Sequence, residues 1–220
     1  MAIHVFYDNS NVWGGARNLG VTKDQAVPWA AIRVHFKHIF SFIEQGRKAH
    51  TRILAGSVPP SSEELWEFAR ENRYETDLLR KVESDDGSIS EQGVDEVLHL
   101  KMANVLLDFP KTDTLVVVTG DGNISEFGTG FIPQIERALR IGWKVEVWSW
   151  SNTLSRKYLT IRRRHSTHLR LISLDAAYEG LTFVQPGSYH RMIDGIREEF
   201  DVSPRYVGKL PTLEKTSYFP

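Results

Sequence analysis

The chain of 220 residues contains no cysteine. That absence excludes disulfides, thiolate metal ligands and a catalytic thiol, and it agrees with a reducing compartment. No apolar run approaches the roughly 18 residues that a membrane span requires. Charged and glycine residues interrupt positions 1–20, so a secretory leader is not expected there. No G-x-G-x-x-G follows the first apolar run, which argues against a dinucleotide enzyme. Neither sign of charge dominates: 27 Lys and Arg face 28 Asp and Glu, for a net charge of -1. Any basic surface for nucleic acid must therefore be local. Internal repeats and low-complexity segments are also missing. The remaining composition, 41% hydrophobic and 25% charged, is that of an ordinary soluble globular protein. A cytoplasmic or nuclear protein that does not engage membranes is expected.

The chain does carry a regular alternation of strand and helix signals. Ile3–Tyr7 is an apolar strand run ending at Asp8-Asn9-Ser10-Asn11. Gly14–Gln25 reads as loop. Trp29, Ile32, Phe36, Ile39, Phe40 and Ile43 recur at helical spacing, so a helix is expected over residues 28–45, stopped by Gly46. A strand over His50–Ala55 precedes a capping box, Ser61-x-x-Glu64, and its helix to Glu71. Tyr74–Leu79 reads as a weaker strand, and the acidic stretch Glu83–Gln92 as loop. A helix follows from Gly93 to about Leu107. Leu115–Thr119 is a β-branched run without polar interruption, the pattern of a parallel strand buried on both faces. Helix Phe131–Ile141, strand Lys144–Trp150, a helix capped by Asn152 and strand Leu169–Leu174 complete the alternation. It predicts a three-layer α/β domain with a mainly parallel sheet and helices on both faces, over residues 1–184. Residues 185–220 read as an extension, helix-like over Tyr189–Phe200 and otherwise extended or poorly ordered around Pro204, Pro211 and Pro220.

Acidic residues recur where open α/β sheets place ligands, at the carboxyl ends of strands. Asp8 follows the first strand, Asp121 follows Leu115–Thr119, and Asp95 begins the helix feeding that second strand. If the two strands are neighbours, their carboxylates converge. Crowded carboxylates take up protons unless a cation sits among them, and hard oxygen ligands suit Mg²⁺ or Mn²⁺. Such an ion activates water and stabilises charge on a phosphodiester. Capping of turns and helices by the same acids is the simpler alternative, above all for Asp95.

Together, Phe6-Tyr7-Asp8-Asn9-Ser10-Asn11, Gly93-Val94-Asp95 and Val118-Thr119-Gly120-Asp121 resemble, in order and spacing, the motifs of the NYN family of PIN-like ribonuclease domains. The resemblance covers about residues 3–175. It implies a PIN-like fold, a metal-binding acidic pocket and endoribonuclease activity, or at least RNA binding. Carried over, Asp8, Asp95 and Asp121 become catalytic metal ligands for Mg²⁺ or Mn²⁺, and Asn11 their polar partner. One position departs from the family pattern. Many members carry a second acid where this chain has Asn123, and Glu126 is the candidate to supply that charge. A degenerate module that binds RNA without cutting it is therefore the alternative.

The dense basic run is Arg156, Lys157, Arg162, Arg163 and Arg164, with Arg170, His165 and His168 nearby. Such a run suits RNA phosphates. Trp148, Trp150 and Tyr158 flank it and suit base stacking if exposed, core packing if not. Single-stranded RNA is the expected partner. His4 reads as a strand residue facing a helix, and His99, one turn after Asp95, as a partly buried polar position that could face the pocket. Trp13 and Arg17 suit loop packing or substrate contact. A von Willebrand A-type metal motif begins at Asp8-x-Ser10 but lacks its last hydroxyl at Val12. A haloacid-dehalogenase nucleophile would need an acid at Ser10.

Overall fold

The structure is a computed structural model that describes the chain except residues 1, 25–26, 58–62, 80, 84–88, 92–93, 110, 127, 194–195, 214–218 and 220. The first strand, β1 (Ile3–Asp8), is buried along its whole length. Helix α1 (Asn9–Lys23) leaves it without a loop, because the Asp8 carboxylate caps the helix by accepting the Asn11 N–H. The loop expected over Gly14–Gln25 is therefore helix as far as Lys23. Its glycines weaken helix propensity, but two of them serve packing. A Cβ on Gly15 would lie 2.5 Å from Trp150 Cδ1, and one on Gly20 would lie 2.1 Å from Ile32 Cδ1. Close approach to the core offsets what the helix loses in propensity.

The single helix expected over residues 28–45 is divided. A 3-10 turn at Trp29–Ala31 leads into β2 (Ile32–Val34) and then α2 (Phe36–Glu44). Pairing with a strand from late in the chain, Thr182–Val184, draws Ile32–Val34 out of helical geometry. Left-handed Gln45 and Gly46 end α2. Strand β3 (Ala49–Ser57), helix α3 (Glu63–Glu71) and strand β4 (Glu75–Leu79) follow as expected. Ser61 of the expected capping box lies outside the described residues. The acidic stretch is not wholly loop: β5 (Lys81–Glu83) and β6 (Ile89–Glu91) pair antiparallel.

Then come α4 (Val94–Asp108), β7 (Thr114–Val118), α5 (Phe131–Arg140), β8 (Lys144–Ser149), α6 (Arg156–Arg164) and β9 (Leu169–Ser173). Ser155, rather than Asn152, caps α6. The Asn152 amide instead donates to Gly15 O at 3.0 Å. A short α7 (Tyr178–Leu181) leads to β10 (Thr182–Val184), the partner of β2. The helix expected over Tyr189–Phe200 is an antiparallel hairpin of β11 (Gly187–Ile193) and β12 (Ile196–Val202), whose backbone groups find partners a few residues away. Beyond it, Arg205 clamps Asp24 through both carboxylate oxygens, at 2.7 and 2.8 Å. Leu210 and Leu213 pack on the core.

Six strands form one parallel sheet in the order β4-β3-β1-β7-β8-β9. Alternate residues of each central strand face opposite layers. Val5, Tyr7, Val116 and Val118 join a core with α1, α2, α3 and α7. Phe6, Leu115 and Val117 join a second core with α4, α5 and α6. The chain winds from β1 to one edge, then returns to β7 and winds to the other. The switch point therefore lies beside β1, where such sheets bind ligands. Among the described residues, no helix is long and apolar enough to cross a membrane.

Candidate functional site

Because β1 and β7 are neighbours, with Tyr7 opposite Val118, their carboxyl ends deliver Asp8 and Thr119–Asp121 to one place. Asp8 is only 3% exposed. Its Oδ1 accepts the Asn11 backbone N–H at 3.0 Å and its Oδ2 accepts the Thr119 hydroxyl at 2.8 Å. Thr119 Oγ1 in turn accepts the Asp121 N–H at 3.1 Å. Asn11 closes the other side, its Oδ1 taking the Gly120 N–H at 2.7 Å. Asp121 Oδ1 accepts the Asn123 N–H at 3.1 Å. The Tyr158 hydroxyl donates to the Asp121 carbonyl, and Lys157 Nζ donates to the Gly122 carbonyl at 2.8 Å. The loop after β7 is thus held from β1, α1 and α6.

Burial pushes the Asp8 carboxyl up to about 7, and the nearby charges of Asp95 and Asp121 push in the same direction. The Asn11 and Thr119 hydrogen bonds oppose that rise without cancelling it. The Tyr158 hydroxyl is raised by burial and then by Asp121, Asp8 and Asp95. Burial also raises Tyr7, with Asp8 adding to it. The fold therefore brings Asp8, Asp95 and Asp121 within electrostatic reach of one another, with Asp95 in the first turn of α4. Repulsion among acids around a buried carboxylate is the environment that a hard divalent cation relieves. The donor set, all oxygen, fits such an ion.

His99 lies beside this group. It is 7% exposed, its ring edge meets Phe131 at 4.5 Å, and neither ring nitrogen has a hydrogen-bond partner among the described residues. Burial lowers its proton affinity, opposed by Glu96 and Asp121. Asn123 and Glu126 are exposed on the loop leading to α5. On α6, Arg156, Arg163 and Arg164 are exposed, whereas Lys157 and Arg162 reach backbone carbonyls of Gly122 and Phe219. Trp148, Trp150 and Tyr158 are fully buried, which removes them as stacking surfaces. Their indole and phenol groups are used internally, Trp150 Nε1 donating to Val12 O at 2.8 Å. Arg17 instead lies between the rings of Trp13 and Trp29, 4.2 and 3.2 Å from their centroids. The supporting roles of Thr119 and Tyr158 were not read from the sequence: Thr119 stood in the motif only as the end of a strand, and Tyr158 only as an aromatic for stacking or core packing.

A parallel sheet with acids crowded at the switch point defines a PIN-like α/β domain. The family model that matches is the NYN domain, over residues 2–162. The chain belongs to the NYN domain family, which lies within the PIN-like nuclease superfamily. Its fold is similar to that of a protein of unknown function from Vibrio parahaemolyticus. That match has 17% identity and a TM-score of 0.52, and it covers 79% of this chain and 94% of that one. A weaker match is a PLP-bound putative aminotransferase from Clostridium difficile, crystallised with magnesium formate, at 9% identity and a TM-score of 0.31. It covers 80% of this chain and 48% of that one, and has no bearing on the fold. None of the curated proteins matches.

Proposed function

We propose that this NYN domain is a divalent-metal-dependent endoribonuclease acting on single-stranded RNA. The observation that carries the proposal is the buried Asp8 carboxyl, raised to about 7 beside Asp95 and Asp121 at the sheet's switch point. Asp8, Asp95 and Asp121 would hold Mg²⁺ or Mn²⁺. Among the described residues, their ligand atoms do not group within 4.8 Å of one another. A hydrated ion bound directly by one or two carboxylates suits that wider spacing. When bound, the ion supplies an activated water and charge stabilisation on the phosphodiester.

The chain's own residues do the rest. Thr119 and the Asn11 N–H orient the two oxygens of Asp8. The Asn11 side chain holds Gly120 and so the loop bearing Asp121. Arg156, Arg163 and Arg164 offer exposed charge for RNA phosphates. Asn123 and Glu126 stand at the loop rim, where an added charge would face solvent.

The test is cleavage of a labelled single-stranded RNA with Mn²⁺, with Mg²⁺ and with EDTA, beside Asp8→Asn/Asp121→Asn. Metal-dependent cleavage lost in the double variant is the expected result. RNA binding without cleavage in any metal would favour the degenerate binding module, which the amide at Asn123 in place of a second acid supports. Absence of both binding and cleavage would refute both readings.

A further inference from the structure

The opposite end of the same strands carries a second cluster. His4 of β1 is fully buried, its ring packed edge-on against Phe109 at 4.4 Å and tilted against Trp143 at 5.2 Å. Its Nδ1 lies 2.9 Å from Thr51 Oγ1. Its Nε2 has no hydrogen-bond partner among the described residues, yet points at Asp113 Oδ2, 3.7 Å away. His50 Nδ1 lies 3.9 Å from that same oxygen. One ligand atom from each of the three residues falls within 4.8 Å of the other two. The other oxygen of Asp113 accepts the Ala2 N–H at 3.1 Å.

We propose that His4, His50 and Asp113 form a zinc site. A gap of 3.7 Å is too long for a hydrogen bond, so the buried Nε2 meets the carboxylate without bonding to it. A cation between them resolves that arrangement. In a tetrahedron with zinc bonds of about 2.0 Å, ligand atoms stand about 3.3 Å apart. The two measured gaps need to close by about half an ångström to reach that geometry. Two imidazoles and one carboxylate match the borderline preference of Zn²⁺, whereas Mg²⁺ favours oxygen alone. Thr51 holds the far nitrogen of His4 and Ala2 the far oxygen of Asp113, the outer contacts that orient metal ligands. The His50 side chain is 35% exposed, which leaves an open side for the ion to arrive and for a water as fourth ligand. The ligands come from β1, β3 and the residue preceding β7, so zinc ties together the strands whose other ends present Asp8 and Thr119.

The test uses the full chain carrying Asp8→Asn/Asp121→Asn, so that the acidic site does not contribute. Metal-free protein is titrated with ZnCl2 against a chelator, bound zinc is counted by mass spectrometry, and Co²⁺ is substituted to record its visible absorption. The expected result is about one zinc per chain, a tetrahedral Co²⁺ band, and a melting temperature that rises with zinc. His50→Ala and Asp113→Asn should each weaken binding by about tenfold or more, while His50→Cys retains it. His50 is at the surface, so far-UV circular dichroism should be unchanged in both His50 variants. No zinc bound at micromolar concentration, or zinc bound by His50→Ala and Asp113→Asn as tightly as by the protein without those changes, would overturn the proposal. RNA cleavage is not a readout, so this outcome is independent of the nuclease proposal.

Discussion

Replacing Asp8 by Asn should make the metal-free protein more stable while abolishing its cleavage activity. The carboxyl titrates near 7 in the fold against its ordinary 3.8. At about 1.36 kcal/mol per pH decade, keeping it ionised costs the native state about 4 kcal/mol as an upper bound. The sign follows from proton binding. Between pH 3.8 and about 7 the native state holds the proton that the unfolded chain has released, so stability falls as pH rises through this window and is flat above it. Asn removes the charge but alters the contact with Thr119, whose hydroxyl now has to accept rather than donate. That exchange offsets about 1–2 kcal/mol.

The expected net gain is about 1–3 kcal/mol at pH 8 in EDTA, or about 2–12 °C in melting temperature for a chain of this size. It should shrink steadily below pH 7 and reverse by about pH 4, where the charge term is gone and the altered Thr119 contact remains. Urea denaturation of both proteins at pH 8 and pH 4.5 measures it. Millimolar Mg²⁺ should then stabilise the wild type and not the variant, by mass action on the native state alone. An Asn variant less stable than wild type at pH 8 in EDTA would refute the reasoning. It would show that the two hydrogen bonds to Asp8 outweigh its burial and repulsion, and that the residue serves as a helix cap alone.

Thr119→Val removes the hydroxyl joining Asp8 Oδ2 to the Asp121 N–H. It should cost about 1–3 kcal/mol in chemical denaturation and move the acid limb of the cleavage pH profile upward. Arg163→Ala/Arg164→Ala should weaken RNA binding with little loss of turnover at saturating RNA. Its salt dependence should be shallower by about 0.7 in log-log slope for each RNA phosphate that the variant no longer neutralises, read by titration at several salt concentrations. Gly15→Ala places a Cβ 2.5 Å from Trp150 Cδ1 and should destabilise by about 1–3 kcal/mol, measured by urea midpoint. Arg205→Ala leaves Asp24, 10% exposed, without its clamp and should cost about 3 kcal/mol in the same assay.

Much of this fold was legible because the central strands declare themselves. Leu115–Val118 is apolar on both faces, and Ile3–Tyr7 is so apart from His4, as strands covered by two helical layers are. Asp8 and Asp121 stood out because both follow the ends of such runs, where open α/β sheets place their ligands. Elsewhere local pattern misled. Three glycines made α1 resemble a loop, but two of them, Gly15 and Gly20, serve contact with Trp150, Ile32 and Tyr178 from distant parts of the chain. The helical spacing over residues 28–45 was real, but Ile32–Val34 gained more by pairing with Thr182–Val184. The hairpin at the end of the chain looked helical because its partner strand, not its own periodicity, settles its backbone.

What the sequence determined by itself is therefore the local part: which segments are apolar on both faces, where they end, and which acids stand at those ends. Tertiary structure decided everything that depends on proximity between distant residues. The adjacency of β1 and β7 turns Asp8 and Asp121 into one electrostatic unit with Asp95. It also turns Thr119 from a strand residue into a hydrogen-bond bridge. Burial of Trp148, Trp150 and Tyr158 took the aromatics from the surface, and the approach of Asp113 to His4 and His50 produced a ligand set spread across the sequence. Side-chain chemistry is encoded locally, whereas the proton affinity of Asp8 arises from desolvation and neighbouring charge, which exist only once the chain has folded.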